Sequence, residues 1–258
     1  MNPSRDLCNR ALPLGAVLRI ARDILQGLEH LHSRGFFHND IKPGNILIGP
    51  QQQAMLSDYG ITGISSNGAP VPAPDAYLLH LAPEVAATGN IGVSSDIFQV
   101  GMTLARLLIH LDHLGAVWSQ IGQAEFEQAI ATGKLLTSKD FGCHIPPAVR
   151  RVILKAVEPD PAKRYTSALE MRRALEKLDY PGHWTVDAAG NEVGKCGTYE
   201  FSHSVSPVAG GKFDVTCSKR NVVSGNSQRV TQFCKRVVTQ KQAEKVVADF
   251  KQFVVTGK

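Results

Sequence analysis

The chain has 258 residues, 43% hydrophobic and 20% charged, a globular balance that excludes a disordered or fibrous polymer. Its formal charge of +5 is unevenly placed. Residues 183–258 hold 11 of the 28 Lys and Arg but 6 of the 23 Asp and Glu, leaving 17 of each sign in 1–182.

A neutral front and a basic tail point to two domains, with boundaries expected at 1–180 and 183–258. No apolar run is long enough to span a bilayer, and "MNPSRDLCNRALPLG" has no h-region, so the expectation is a cytoplasmic protein with no membrane span. The cysteines (Cys8, Cys143, Cys196, Cys217 and Cys234) are odd in number and form no C-x-x-C pair, which argues against a disulfide framework. Three lie in the tail near His183 and His203, leaving two readings, a zinc site or small buried hydrophobes.

Leu14, Val17, Leu18, Ala21, Ile24, Leu25, Leu28 and Leu31 recur at helical spacing and predict a long helix that stops at Gly35. Two short strands follow, "ILI" at 46–48 and "AML" at 54–56. The stretch from Ile61 to Glu84 is rich in Gly, Pro and Ser and predicts a long irregular segment, of the kind that more often carries function than not. Helices are predicted over 94–111, 123–132, 147–157 and 167–178, and "DYPGHW" at 179–184 marks a break. Beyond it "TYEFSHSV", "KFDVTCSKR" and "RVTQFCKRVV" predict strands, with turns at Gly210-Gly211 and Gly225-Asn226. A final amphipathic helix is expected over about 240–253, with Ala243, Val246, Val247, Phe250 and Phe253 on one side.

The chemistry concentrates in "FFHNDIKPGNILIG" and in "SDYG" after it. Phosphoryl transfer needs positioning and charge neutralisation more than covalent help from the protein. Asp40 suits the carboxylate that takes the acceptor hydroxyl's hydrogen bond, Lys42 the cation at the γ-phosphate, and Asn45 a neutral oxygen for one metal ion. The hairpin between 46 and 56 returns the chain so that Asp58 stands as the charged metal ligand, with Gly60 allowing a sharp turn.

Residues 1–180 resemble the C-terminal lobe of a eukaryotic-type Ser/Thr protein kinase. His38-Asn39-Asp40 stands for H-R-D, with Asn45 at the D-x-x-x-x-N distance, and Asp58-Tyr59-Gly60 stands for D-F-G. Ala82-Pro83-Glu84 matches A-P-E, "SDIFQVG" is similar to D-x-W-S-x-G, and "DPAKRYTSA" supplies Arg164. The resemblance implies that Asp96 holds the catalytic-loop backbone and that Arg164 forms a buried pair with Glu84. It implies a mainly helical kinase-like C-lobe; with the strands and final helix read from the tail, the expected chain is α+β, that lobe followed by a small β-rich domain with a C-terminal helix. It also implies ATP and Mg2+ as cofactors, with Asp40, Lys42 and Asn45 catalytic, Lys42, Asn45 and Asp58 at the nucleotide, and Asn45 and Asp58 at the metal.

Two departures stand out. Asn39 replaces the arginine that in much of the family meets an activation-segment phosphate, and Tyr77 takes the place of a threonine that bridges the catalytic Asp and Lys. Nothing before residue 36 reads as a G-x-G-x-x-G loop or a V-A-I-K strand. The ATP-covering lobe is therefore expected from a partner subunit, or to have been lost by truncation. The implied function is phosphorylation of Ser or Thr on a protein substrate. The alternative is a non-catalytic kinase-like binding or scaffold module. The tail's Lys219-Arg220 and Lys235-Arg236 either bind nucleic acid or another polyanion, or simply face solvent along strand edges.

Overall fold

The computed structural model describes residues 12–59, 62–74, 78–109, 113–186 and 191–257. The chain divides into two compact units, one made mainly of 16–141 and 147–178, the other of Asp179–Lys258 together with Pro13–Gly15 and Gly142–Pro146.

From Ala16 onward helix α1 (Leu14–His32) belongs to the first unit, and its stripe Val17, Leu18, Ala21, Ile24, Leu25 and Leu28 is buried. After α1 the chain turns at Gly35, whose φ of +76° lies in the left-handed region and whose missing Cβ leaves room for the Ser65 carbonyl. Strand β1 (Phe36–Phe37) enters the site region. Strands β2 (Ile46–Ile48) and β3 (Ala54–Leu56) form the hairpin expected from sequence, in register Ile46↔Leu56, Leu47↔Met55 and Ile48↔Ala54. Asp23 on α1 accepts the Ala54 N–H at 2.9 Å and ties the hairpin to the helix.

The segment expected to be irregular contains more order than its composition suggests. It holds β4 (Gly63–Ile64), antiparallel to β1, then β5 (Val71–Pro72), a 3-10 turn at Leu78–His80 and the start of α2 (Pro83–Thr88). β5 pairs with β6 (Asn90–Ile91) beyond α2. These two-residue strands are too short for any periodicity to register.

Helix α3 (Val93–Ile109) runs through the core, buried on nearly every side. It packs on α5 (Pro147–Ala156) so tightly at Gly101 that an added Cβ would lie 2.7 Å from a Val157 methyl and 2.9 Å from the Ala156 Cβ. Only glycine fits there. Helix α4 (His113–Ala131) begins ten residues earlier than expected, and Gly122 at φ +82° breaks it, so a helical period is legible only from 123 onward. Helix α6 (Ala168–Glu176) completes the unit, capped by the Ser167 hydroxyl.

In the second unit β7 (Gly182–Val186), β8 (Glu192–Cys196), β9 (Tyr199–Val208), β10 (Lys212–Asn221) and β11 (Ser227–Arg229) form an antiparallel sheet in the order β11-β10-β9-β8-β7, and β12 (Lys235–Val238) also pairs with β10. Helix α7 (Gln240–Thr256) buries Ala243, Phe250, Val254 and Val255. Phe250 lies fully buried among Trp184, Phe201 and Phe233, with ring centroids 5.9, 6.1 and 5.3 Å away.

Three expectations need correction here. β7 lies partly inside the stretch read as a break, and β8, with a glycine and two charges, was not expected as a strand at all. Gly194 is nonetheless required, because an added Cβ would sit 2.8 Å from the Trp184 ring. The stretch 229–238, expected as one strand, is cut by a 3-10 turn at Thr231–Phe233, and Val237 takes φ +54° with its N–H on the Asp214 carboxylate at 2.8 Å. The register shift between Phe213 and Val215 falls at this point.

The Phe250→Ala variant is expected to lose about 3–5 kcal/mol, and Thr239→Ala, which removes the capping box of α7, about 1 kcal/mol. Urea unfolding followed by tryptophan fluorescence measures both.

Candidate active site

Segment 38–45 contains only one short 3-10 turn, Pro43–Asn45, so most of its peptide groups need partners from elsewhere. One face of α3 supplies them. Asp96, fully buried, accepts the backbone N–H of His38 and of Asn39 at 2.8 Å each, and its Oδ2 also meets His32 Nε2 at 2.8 Å. One turn on, Gln99 Oε1 accepts the Ile41 N–H at 2.9 Å while its Nε2 donates to the Asn39 carbonyl at 2.8 Å. A further turn on, Thr103 Oγ1 donates to the Ile41 carbonyl at 2.9 Å.

That carbonyl also accepts Nδ1–H of His80 at 2.7 Å, which leaves His80 Nε2 to accept from Arg106 at 3.1 Å. Burial, reinforced by the Arg106 charge, pushes the His80 imidazole down to about 3, so it is neutral and held in one tautomer. Burial also lowers His38, against the opposing pull of Asp96 and Asp40.

The loop so held brings three of the sequence-predicted residues together. Asp40 is 6% exposed. Its Oδ2 takes Lys42 Nζ at 2.8 Å and Asn45 Nδ2 at 2.7 Å, and the same Nδ2 donates to the Asp40 carbonyl at 2.9 Å. Its other oxygen, Oδ1, is buried without a hydrogen-bond partner among the described residues. With the Asn45 amide nitrogen turned to Asp40, the amide oxygen is the group Asn45 can offer a ligand.

Ser57, the residue before Asp58, bonds to the Asn45 carbonyl through its N–H and its Oγ at 2.9 and 3.1 Å. Asp58 is exposed and carries φ +64°, a left-handed turn at the acidic residue itself. Gly60, expected to provide the sharp turn, and Tyr77 lie outside the described residues. Glu84 and Arg164 form the expected pair, bidentate at 2.8 Å on both arms, with the Arg164 side chain fully buried.

Gln99, Thr103, His80 and Arg106 escaped the sequence reading. Their signal is a row of polar residues, Asp96, Gln99 and Thr103, at helical spacing along an otherwise apolar helix. Among the described residues no group of three or more His, Cys, Asp or Glu is placed to hold a metal ion by itself, so the tail's cysteines and histidines give no zinc cluster there. Several tail cations are engaged. Lys195 pairs with Glu200, Lys245 with Asp249 and Lys251 with Glu192, and Lys219 lies over the Tyr199 ring at 4.8 Å.

The family model for the protein kinase domain matches residues 6–177. The chain belongs to the protein kinase family. It is 31% identical over 164 residues to the serine/threonine-protein kinase PknG of Mycobacterium leprae, covering 64% of this chain and 19% of that protein. It is 30% identical over 186 residues to the probable serine/threonine-protein kinase PknB of Lactococcus lactis, covering 66% and 28%. With the serine/threonine-protein kinase PknL of Mycobacterium tuberculosis it shares 29% over 174 residues, covering 65% and 41%. The chain thus spans between about a fifth and two fifths of the length of these relatives. Helices and sheets together make an α+β chain consistent with the kinase fold, and protein kinases as a family use ATP and Mg2+. No helix among the described residues is long and apolar enough to cross a membrane.

The neutral His80 gives a pH prediction. Its folded value lies below the ordinary 6.5, so the unfolded chain binds the proton more readily, and stability falls as pH drops through 6.5 toward 3. At about pH 5 this histidine alone is expected to remove about 2 kcal/mol relative to neutral pH. His80→Gln should flatten the slope by that amount, as read from urea midpoints at the two pH values.

Proposed function

We propose that residues 1–180 form a kinase C-lobe that transfers the γ-phosphoryl group of ATP to a Ser or Thr hydroxyl on a protein substrate. The lobe that covers ATP comes from outside these residues, in a partner or in further sequence. Residues 183–258 form a separate, small β-rich domain.

The observation that carries this reading is the asymmetry of Asp40. One carboxylate oxygen is held by Lys42 and Asn45, while the other is buried without a partner among the described residues, a costly state unless a donor arrives. A substrate hydroxyl is such a donor. Accepting its hydrogen bond, Asp40 orients the oxygen for attack and draws off the proton as the bond to phosphorus forms. Lys42, held beside Asp40, supplies positive charge near the transferring group.

The donor set fits Mg2+, a hard cation that takes oxygen ligands, since Asp58 offers an exposed carboxylate and Asn45 an amide oxygen. Bound there, Mg2+ neutralises phosphate charge. The exposed cross-strand pair Leu47 and Met55, 42% and 45% accessible, lies on the hairpin that joins Asn45 to Asp58 and provides an apolar floor suited to a purine ring.

Two measurements test the reading. With an ATP-covering lobe supplied by fusion or in trans, Asp40→Asn should lower phosphoryl transfer to a Ser/Thr substrate by about 10²-fold or more, with the thermal midpoint unchanged. An undiminished rate returns the chain to a binding or scaffold role. In the chain alone, calorimetry should find weak Mg-dependent ATP binding that Asp58→Ala abolishes.

A further inference from the structure

We infer that Gln99 is a positioning residue that fixes the Asp40 carboxylate by bridging the peptide groups on either side of it, an inference that rests on Asp40 being the catalytic carboxylate. Asp40 hangs from two peptide units, one carrying the Asn39 carbonyl and the other the Ile41 N–H. Gln99 bonds to both through a single planar amide, Nε2–H to the Asn39 carbonyl at 2.8 Å and Oε1 to the Ile41 N–H at 2.9 Å. A primary amide carries a donor and an acceptor on one plane a fixed distance apart. The two peptide units around Asp40 therefore cannot rotate independently while both bonds hold.

The need for such a bridge is visible in the backbone. Asn39 sits at φ +63°, a conformation that costs a non-glycine residue energy and persists only where the surroundings enforce it. Asp96 fixes the entry to that turn through the His38 and Asn39 N–H groups, and Thr103 with His80 fixes its exit through the Ile41 carbonyl. Between them Gln99 spans the middle, across Asp40. It is 3% exposed and comes from α3, which Gly101 seats tightly against α5. A hydroxyl side chain at position 99 would be too short to serve both groups at once, since it has one donor hydrogen on a one-carbon stem.

The amide's polarity makes the inference testable. A glutamate in its place keeps the acceptor for Ile41 N–H at every pH but donates to the Asn39 carbonyl only when protonated. Burial raises the pKa of such a carboxyl, so the restored form is populated on the acid side.

Two experiments on Gln99→Ala and Gln99→Glu decide the matter. In the chain alone, NMR-detected hydrogen exchange at about pH 7 should show the Ile41 amide losing about tenfold or more of its protection in Gln99→Ala, while the His38 and Asn39 amides held by Asp96 keep theirs. Unchanged Ile41 protection would overturn the bridge.

With an ATP-covering lobe supplied, Gln99→Ala should lower kcat about 10- to 100-fold with KM for both substrates within about threefold. Gln99→Glu should approach the parent's kcat as pH falls from about 8 to about 6, with its thermal midpoint rising over the same range as the buried carboxyl is neutralised. An unchanged kcat, or a loss confined to KM, would overturn the positioning role. Gln99→Glu is near in volume to the parent and serves if the alanine variant does not fold. A parent that transfers no phosphoryl group under these conditions refutes the catalytic reading of Asp40, and with it the positioning role, while Ile41 exchange still decides whether the bridge exists.

Discussion

The Asp96 carboxylate is the fixed point of the first unit. It is wholly buried, yet it is met by two backbone N–H groups and an imidazole nitrogen, each at 2.8 Å. A buried charge is tolerable only when so many donors converge on it. Removing it would strand the His38 and Asn39 N–H groups in a site closed to water, and Asn39 would lose the restraint that keeps it in the left-handed region. Everything that the loop presents beyond that point, Asp40 first, takes its direction from this bend.

How much of this was legible in the sequence follows the range of the signals. Long amphipathic elements were plain, since α1 and α3 bury continuous stripes and their spacing announces them. The hairpin at 46–56 was legible because its apolar triplets are flanked by turn residues. The Glu84–Arg164 pair and the grip of Asp96 came from ordered motif matches rather than from periodicity. What stayed hidden depends on contacts distant in sequence. β8 is a strand because β7 and β9 flank it, not because Glu192–Cys196 favours extension. The polar row on α3 was passed over because helical periodicity is normally read for apolar residues, and Gln99 and Thr103 make sense only once a loop some sixty residues away lies against them.

The second unit is organised differently. Helix α7 packs on its sheet and contributes the aromatic Phe250 to a cluster with Trp184, Phe201 and Phe233. The basic excess of this region, conspicuous in composition, is partly absorbed by local pairing. Lys251 is nearly buried, bonded through both oxygens of Glu192 at 2.6 Å, with its backbone carbonyl accepting the Trp184 indole N–H at 3.1 Å. A lysine so placed acts as a structural strut, and counting it toward a cationic surface overstates that surface.

The Arg164 guanidinium does more than pair with Glu84. Of the two arms that meet Glu84, Nη1 also donates to the Ser94 carbonyl at 2.9 Å, and the Ser94 hydroxyl in turn donates to Glu84 at 3.1 Å. Ser94 lies in the first turn of α3, the rod whose next turns carry Asp96, Gln99 and Thr103. The start of α2, the head of α3 and the loop around Asp40 are therefore linked in series, like beams meeting at riveted joints. A sideways displacement at Glu84 has no slack to take it up before it reaches α3. Because that helix is seated without clearance at Gly101, the frame resists the load as a whole instead of yielding at one joint.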